Sequence, residues 1–209
     1  TYFEHAVLKR GKELLIADYR AQYVLADGTI PARNTTSLLV SADNGHTFRR
    51  RATIAADRAN RDIMAEPHLA ATAGGDLVCI IRRTDQNQKP MWITWSTDDG
   101  HTWEAGHSLF DFGVFPCLQL LGNGCLVLSY GRPGVHLAVS TAGDGRQWDA
   151  HQQILPGDPA AVHLHTCGYT SMLPLNDDTL LLAYSDFDYP HPTDATCKAI
   201  LTRRIRVKR

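Results

Sequence analysis

Short apolar runs recur along the chain, each set off by a polar turn. Leu14-Leu15-Ile16-Ala17, Leu77-Val78-Cys79-Ile80-Ile81, Leu126-Val127-Leu128 and Leu180-Leu181-Leu182-Ala183 follow turns at Gly11, Gly74-Gly75, Gly122-Asn123-Gly124 and Asn176-Asp177-Asp178. Continuous apolar runs this short fit β-strands buried on both faces. A strand-like stretch precedes each run: Phe3 to Leu8, Glu66 to Ala71, Phe115 to Leu121 and Tyr169 to Leu175. Another follows each run, at Thr36 to Val40, Met91 to Trp95, Val135 to Val139 and Lys198 to Val207. No helical periodicity extends over about 12 residues, so the expected class is all-β.

A second pattern overlies the first. Ser41-Ala42-Asp43-Asn44-Gly45-His46-Thr47-Phe48 and Ser96-Thr97-Asp98-Asp99-Gly100-His101-Thr102-Trp103 are close copies, and Ser140-Thr141-Ala142-Gly143-Asp144-Gly145-Arg146-Gln147-Trp148 is a looser third. In each, Asp can fold back onto backbone donors, Gly can take a positive φ, and the aromatic can tuck under the next strand, which makes a hairpin turn. Strands and turns together define four units of roughly 45 to 60 residues, a period typical of propeller blades. The expected fold is a β-propeller occupying 1–209 as a single, partial domain, with blades near 1–57, 58–110, 111–157 and 158–209.

Composition narrows the function classes. The net charge is -1, with 21 Lys+Arg against 22 Asp+Glu, which argues against a nucleic-acid partner. No run approaches 18 apolar residues, so no helical membrane span is expected. Only five of the basic residues are Lys and only four of the acids are Glu. The Arg excess supplies planar forks for carboxylates, and Asp suits turns. The five cysteines (79, 117, 125, 167 and 197) lack metal-site spacing, and their odd number argues against full pairing. Cys117 and Cys125 could face each other across a hairpin or remain free buried thiols.

The octets resemble the Asp-box, or BNR, repeats of the sialidase (neuraminidase) superfamily, of form Ser-x-Asp-x-Gly-x-Thr-Trp. The resemblance implies a six-bladed propeller of which this chain carries the C-terminal four blades, the first two being absent; a closed four-bladed ring is the alternative. Such a fragment would expose two edges, to be covered by self-association or by the missing blades. The resemblance further implies an exo-α-sialidase that cleaves terminal sialic acid from sialoglycoconjugates by a retaining mechanism, with no cofactor and a secreted or periplasmic location.

Family spacing assigns roles residue by residue. The tyrosine-activating Glu opens one blade and a carboxylate-clamp Arg closes the next strand sixteen residues later; Glu66 and Arg82 fit, with Arg83 adjacent and able to exchange places by a one-residue register change. The next clamp Arg matches Arg132 in Ser129-Tyr130-Gly131-Arg132. The nucleophile matches Tyr169 in Gly168-Tyr169-Thr170-Ser171-Met172-Leu173-Pro174-Leu175, which resembles the family's Tyr-Ser-x-Leu-x-x-Leu stretch. A phenol suits attack beside a substrate carboxylate because it is uncharged. The family's first clamp Arg and acid/base Asp have no counterpart here; Gly28-Thr29-Ile30-Pro31 echoes Arg-Ile-Pro but lacks the Arg.

Each assignment has a plainer alternative. Glu66 could end a strand in an ion pair, Arg82 and Arg83 could be rim charges, Arg132 could brace its own loop, and Tyr169 could be a core ring. His68, His136, His163, His165 and His191 are expected near one end, and His163-x-His165 could hold a metal or, with a Tyr, abstract a proton next to a uronate carboxylate. Asp186-x-Asp188 and Tyr189 could contact sugar hydroxyls or cap a turn. Trp92, Trp95 and Trp103 read as packing, and Arg49-Arg50-Arg51 as an edge charge run. The rival functions are another hydrolase or a uronate lyase acting on acidic glycans, and a non-catalytic glycan-binding propeller.

Overall fold

The computed structural model describes residues 7–19, 28, 35–57, 62–83, 88–193 and 195–209. Within them the chain is all-β: fifteen strands form four antiparallel meanders. The first sheet is β1 (Leu8–Arg10), β2 (Glu13–Asp18), β3 (Thr35–Ser41) and β4 (Arg49–Ala56). The second is β5 (Met64–Ala71), β6 (Leu77–Arg83), β7 (Met91–Ser96) and β8 (His107–Leu109). The third is β9 (Val114–Leu120), β10 (Leu126–Gly131), β11 (Val135–Ser140) and β12 (Ala150–Leu155). The fourth has three strands, β13 (Thr170–Pro174), β14 (Thr179–Pro190) and β15 (Thr196–Arg206). Each sheet pairs its strands in chain order, the blade form that the repeats imply. No helix among the described residues is long and apolar enough to cross a membrane.

The apolar runs are the sheet centres. Every residue from Leu77 to Arg82 and from Leu126 to Gly131 is buried, as continuous apolar strands require. The outer strands carry no such signal. β8 and β12 are largely exposed, and β4, half of it exposed, holds the Arg49-Arg50-Arg51 run. Arg51 is no idle edge charge, since its guanidinium meets Glu13 Oε1 at 2.7 Å. Another departure is β14: its apolar run ends near Ala183, yet the ladder continues through Asp186 and Tyr189 to Pro190, paired with β15 across a bulge. Polar residues lengthen this hairpin, so hydropathy alone stops short of its end. The proposed strand from Phe3 and the Thr29-Ile30-Pro31 echo lie outside the described residues, apart from Val7 and Leu8.

The octets close the third-to-fourth strand turns. Ser41 Oγ accepts Gly45 N–H at 2.8 Å, and Asp43 takes Thr47 through N–H at 2.9 Å and hydroxyl at 2.6 Å. The second octet repeats this with Ser96, Asp98, Gly100 and Thr102 at 2.9, 2.8 and 2.6 Å. The Thr102 hydroxyl and amide and the Ser96 hydroxyl hold the Asp98 carboxyl down at about 2. The third octet divides the work: Asp144 accepts Arg146 N–H, while Asp149 takes Thr141.

The chain falls into two compact units, one of 1–71 with 75–112 and one of 72–74 with 113–209. The first has a core of Leu15, Leu38, Ile54, Leu69, Leu77 and Ile81, with Trp92 and Trp103 packed on it. The second has a core of Val127, Val135, Leu137, Leu180, Leu182 and Tyr184. All five cysteines are free.

Candidate functional site

In the first unit, β5 and β6 run in register except at one place. Ala65 faces Arg82 and His68 faces Ile80, so Glu66 and Pro67 together oppose Ile81. This is a β-bulge, and Glu66 adopts a left-handed φ of +45° within it. The bulge turns the Glu66 carboxylate onto the neighbouring strand, where Oε1 accepts Arg82 Nη1–H at 2.7 Å. Both side chains are buried, 7% exposed for Glu66 and 6% for Arg82. The sixteen-residue spacing in the sequence is therefore a cross-strand ion pair.

Arg83 goes elsewhere, as period-two alternation requires. Its Nη2–H reaches Asp62 Oδ2 at 2.6 Å, and its guanidinium lies over the Trp92 ring at 5.4 Å. Lys89 meets the other Asp62 oxygen. Burial pushes the Asp62 carboxyl up, but hydrogen bonds and charge from Lys89 and Arg83 outweigh it, leaving the group below the usual range. Asp62 was not recognised in the sequence, where it stands isolated before β5.

In the second unit, the same bulge recurs in β9. Val114 faces Gly131 and Cys117 faces Ser129, leaving Phe115 and Pro116 opposite Tyr130. Phe115 takes φ +47°, the counterpart of Glu66. Its ring stacks on Tyr169, with centroids 4.2 Å apart and planes 13° from parallel. Arg132 lies at the end of β10 with φ +56°; its Nε–H donates to the Cys167 carbonyl at 2.9 Å, and its guanidinium carbon is 5.0 Å from the Tyr169 centroid. Tyr169 immediately precedes β13. Gly131 explains how these segments approach so closely: a Cβ there would lie 2.1 Å from the Gly168 carbonyl oxygen. Ser129 and Thr170 hydroxyls, 2.6 Å apart, tie β10 to β13 just beyond.

Close to Arg132 in sequence lies an aromatic cluster. His136 Nε2 meets the Pro133 carbonyl at 2.8 Å, its ring stacks on Tyr130 at 5.2 Å, and the Tyr130 hydroxyl meets His151 Nε2 at 2.6 Å. Two other histidines are held separately: His165 by Asp188, and His191 by Thr193. Trp95 is buried and stacked on His107. No group of three or more His, Cys, Asp or Glu among the described residues could hold a metal ion.

Thus each unit brings together two of the sequence candidates: Glu66 with Arg82, and Arg132 with Tyr169. Arg83 joins a separate cluster. The sequence reading missed Asp62 and Phe115. The signal for Phe115 was present as Glu66-Pro67 and Phe115-Pro116, two Xaa-Pro pairs at the same place in successive first strands.

No protein-family model matches the sequence, and no curated protein matches it. Solved structures do share its fold. A protein of unknown function from Dyadobacter fermentans superposes with TM-score 0.73 at 20% identity, over 99% of this chain and 54% of that one. The NanB sialidase of Streptococcus pneumoniae gives 0.60 at 19% identity, over 96% and 30%. An α-L-arabinofuranosidase of Fusarium graminearum gives 0.64 at 16% identity, over 92% and 59%. The chain spans about a third to three-fifths of the length of these structures, and what it shares with them is the fold.

Proposed function

We propose that the chain belongs to a glycoside hydrolase of sialidase type, acting on a terminal sialic acid by a retaining mechanism. The observation that carries the reading is Tyr169, whose ring is held by Phe115 and faces the Arg132 guanidinium. In this reading the Tyr169 phenol attacks the anomeric carbon and gives its proton to a carboxylate base, the role that the family resemblance gives Glu66, while the glycosidic oxygen departs with a proton from a general acid. Water then cleaves the glycosyl-tyrosine intermediate with retention. Arg132, beside Tyr169, is the proposed carboxylate ligand, since a guanidinium fork supplies both charge and orientation, and the family resemblance gives Arg82 the same role. Arg83, committed to Asp62 and Trp92, is assigned a supporting role. The octets are read as Asp-boxes, which serve the scaffold and not the reaction.

A second reading, a glycosidase for a neutral furanoside, draws support from the fold shared with the arabinofuranosidase. In it the buried Glu66–Arg82 pair needs no substrate carboxylate to balance it. The test compares release of fluorophore from a 4-methylumbelliferyl sialoside with release of nitrophenol from an α-L-arabinofuranoside by the full-length protein, each beside Tyr169→Phe. Sialoside turnover that collapses in the variant supports the first reading. Arabinofuranoside turnover that survives the variant supports the second, and inactivity on both overturns both.

A further inference from the structure

We propose that Phe115 is a positioning residue for Tyr169, fixing the plane of the ring that the reading above makes the nucleophile. The kinetic consequence rests on that reading; the structural one stands on geometry alone. The rings lie 4.2 Å apart and 13° from parallel, so Phe115 supplies a flat wall against which Tyr169 cannot tilt. Arg132 lies over the same tyrosine ring at 5.0 Å. Tyr169 needs such a wall because it precedes β13 and lies outside the strand ladder.

The backbone at Phe115 argues that the ring is there for what it touches. A left-handed φ of +47° disfavours any residue with a Cβ, and a following proline disfavours compact conformations further. Glycine would meet the conformational demand. The ladder pairs Val114–Gly131 and Cys117–Ser129 clamp the bulge on both sides and hold an aromatic in it. Strain of this kind gathers where a side chain has to be aimed. The equivalent bulge in the first unit supports the comparison, since there the strained residue is Glu66, aimed at Arg82. One backbone device, used twice, delivers a carboxylate in one sheet and a ring in the next.

A phenol nucleophile works only with its oxygen in line with the anomeric carbon, and a displacement near 1 Å costs about a hundredfold in rate. Removing the wall should therefore lower kcat and leave KM nearly alone. The test uses Phe115→Leu, Phe115→Met and Phe115→Tyr in the full-length protein. Each is followed by kcat and KM on the sialoside and the arabinofuranoside, and by NMR of 13C-labelled tyrosine rings, with Tyr169 assigned among the seven tyrosines by its loss in Tyr169→Phe. In Leu and Met variants, the Tyr169 ring signals should move as ring-current shielding is lost, and kcat should fall about ten- to a hundredfold with KM within about threefold. Phe115→Tyr should restore both. Unmoved Tyr169 signals in Leu or Met, or a Tyr variant as impaired as Leu, would overturn the proposal. If the wild type turns over neither glycoside, the functional reading fails, and the ring signals alone decide whether Phe115 positions Tyr169. Should Leu fail to fold, Met against Tyr gives the same comparison.

Discussion

Breaking the Glu66–Arg82 pair from one side should be far more damaging than removing it altogether. Glu66→Met removes the carboxylate that meets the buried Arg82 guanidinium, and Arg82→Met removes the guanidinium that meets the buried Glu66. With both side chains under a tenth exposed, little solvent screening is available, and the expected cost of each single change is about 3 to 5 kcal/mol. At about 2 to 4 °C per kcal/mol for a chain of this length, each single variant should melt roughly 6 to 20 °C below wild type. The double variant replaces two desolvated charges with two flexible apolar chains, a change that is often neutral or stabilising. It should recover most of the loss. The assay is thermal and urea unfolding of the four proteins by circular dichroism. Single variants costing under about 1 kcal/mol, the range of exposed pairs, would refute the argument, and so would losses that simply add in the double variant. The proposed function adds a signature: the double variant should be folded and inactive.

Three other outcomes follow from the geometry. Gly131→Ala forces a Cβ to within 2.1 Å of the Gly168 carbonyl oxygen and should cost about 1 to 3 kcal/mol by urea unfolding, whereas Gly74→Ala, with its nearest atom 3.9 Å away, should cost less than about 0.5. The imidazoles of His136 and His151 are both held below their usual range, His136 by burial and the nearby His151 against the Pro133 hydrogen bond, and His151 by burial. Both are thus neutral when folded above about pH 6.5, and as pH falls below that the unfolded chain takes up protons first, so stability drops; His136→Gln should flatten the slope between pH 7.5 and 5. Burial pushes the Cys79 thiol well up and the Cys117 thiol to about 11, so iodoacetamide at pH 8 should spare both in the native protein and modify all five cysteines after denaturation.

The inner strands were legible because burial on both faces leaves a continuous apolar run, as at Leu77 to Ile81. The octet turns were legible because Ser, Asp, Gly and Thr each do a separate hydrogen-bonding task at a fixed spacing. The outer strands β4, β8 and β12 left no comparable trace, since an edge strand facing water can be built from almost any polar residue. The extension of β14 past Ala183 was hidden for the same reason. Family spacing singled out Glu66 and Arg82 as candidates, but nothing pointed from Arg83 to Asp62, which lies on a loop that carries no periodic signal.

The chemistry-bearing residues are hardest to read where the strand pattern breaks. A period of two assigns every side chain to a face only while the register holds. At Glu66-Pro67 and Phe115-Pro116 the register gains a residue, and the side chain that matters takes a direction that alternation does not predict. Arg132 shows the same thing at a strand end, where a left-handed φ swings it off the β10 ladder toward Tyr169. Among the described residues, three of the six non-glycine residues with positive φ are thus Glu66, Phe115 and Arg132, each in contact with a candidate or itself one. Two more, Asn44 and Asp99, sit in the octet turns, where the turn explains them. At Glu66 and Phe115, then, the left-handed backbone that no turn requires coincides with a bulge that aims a side chain, at Arg82 in one sheet and at Tyr169 in another.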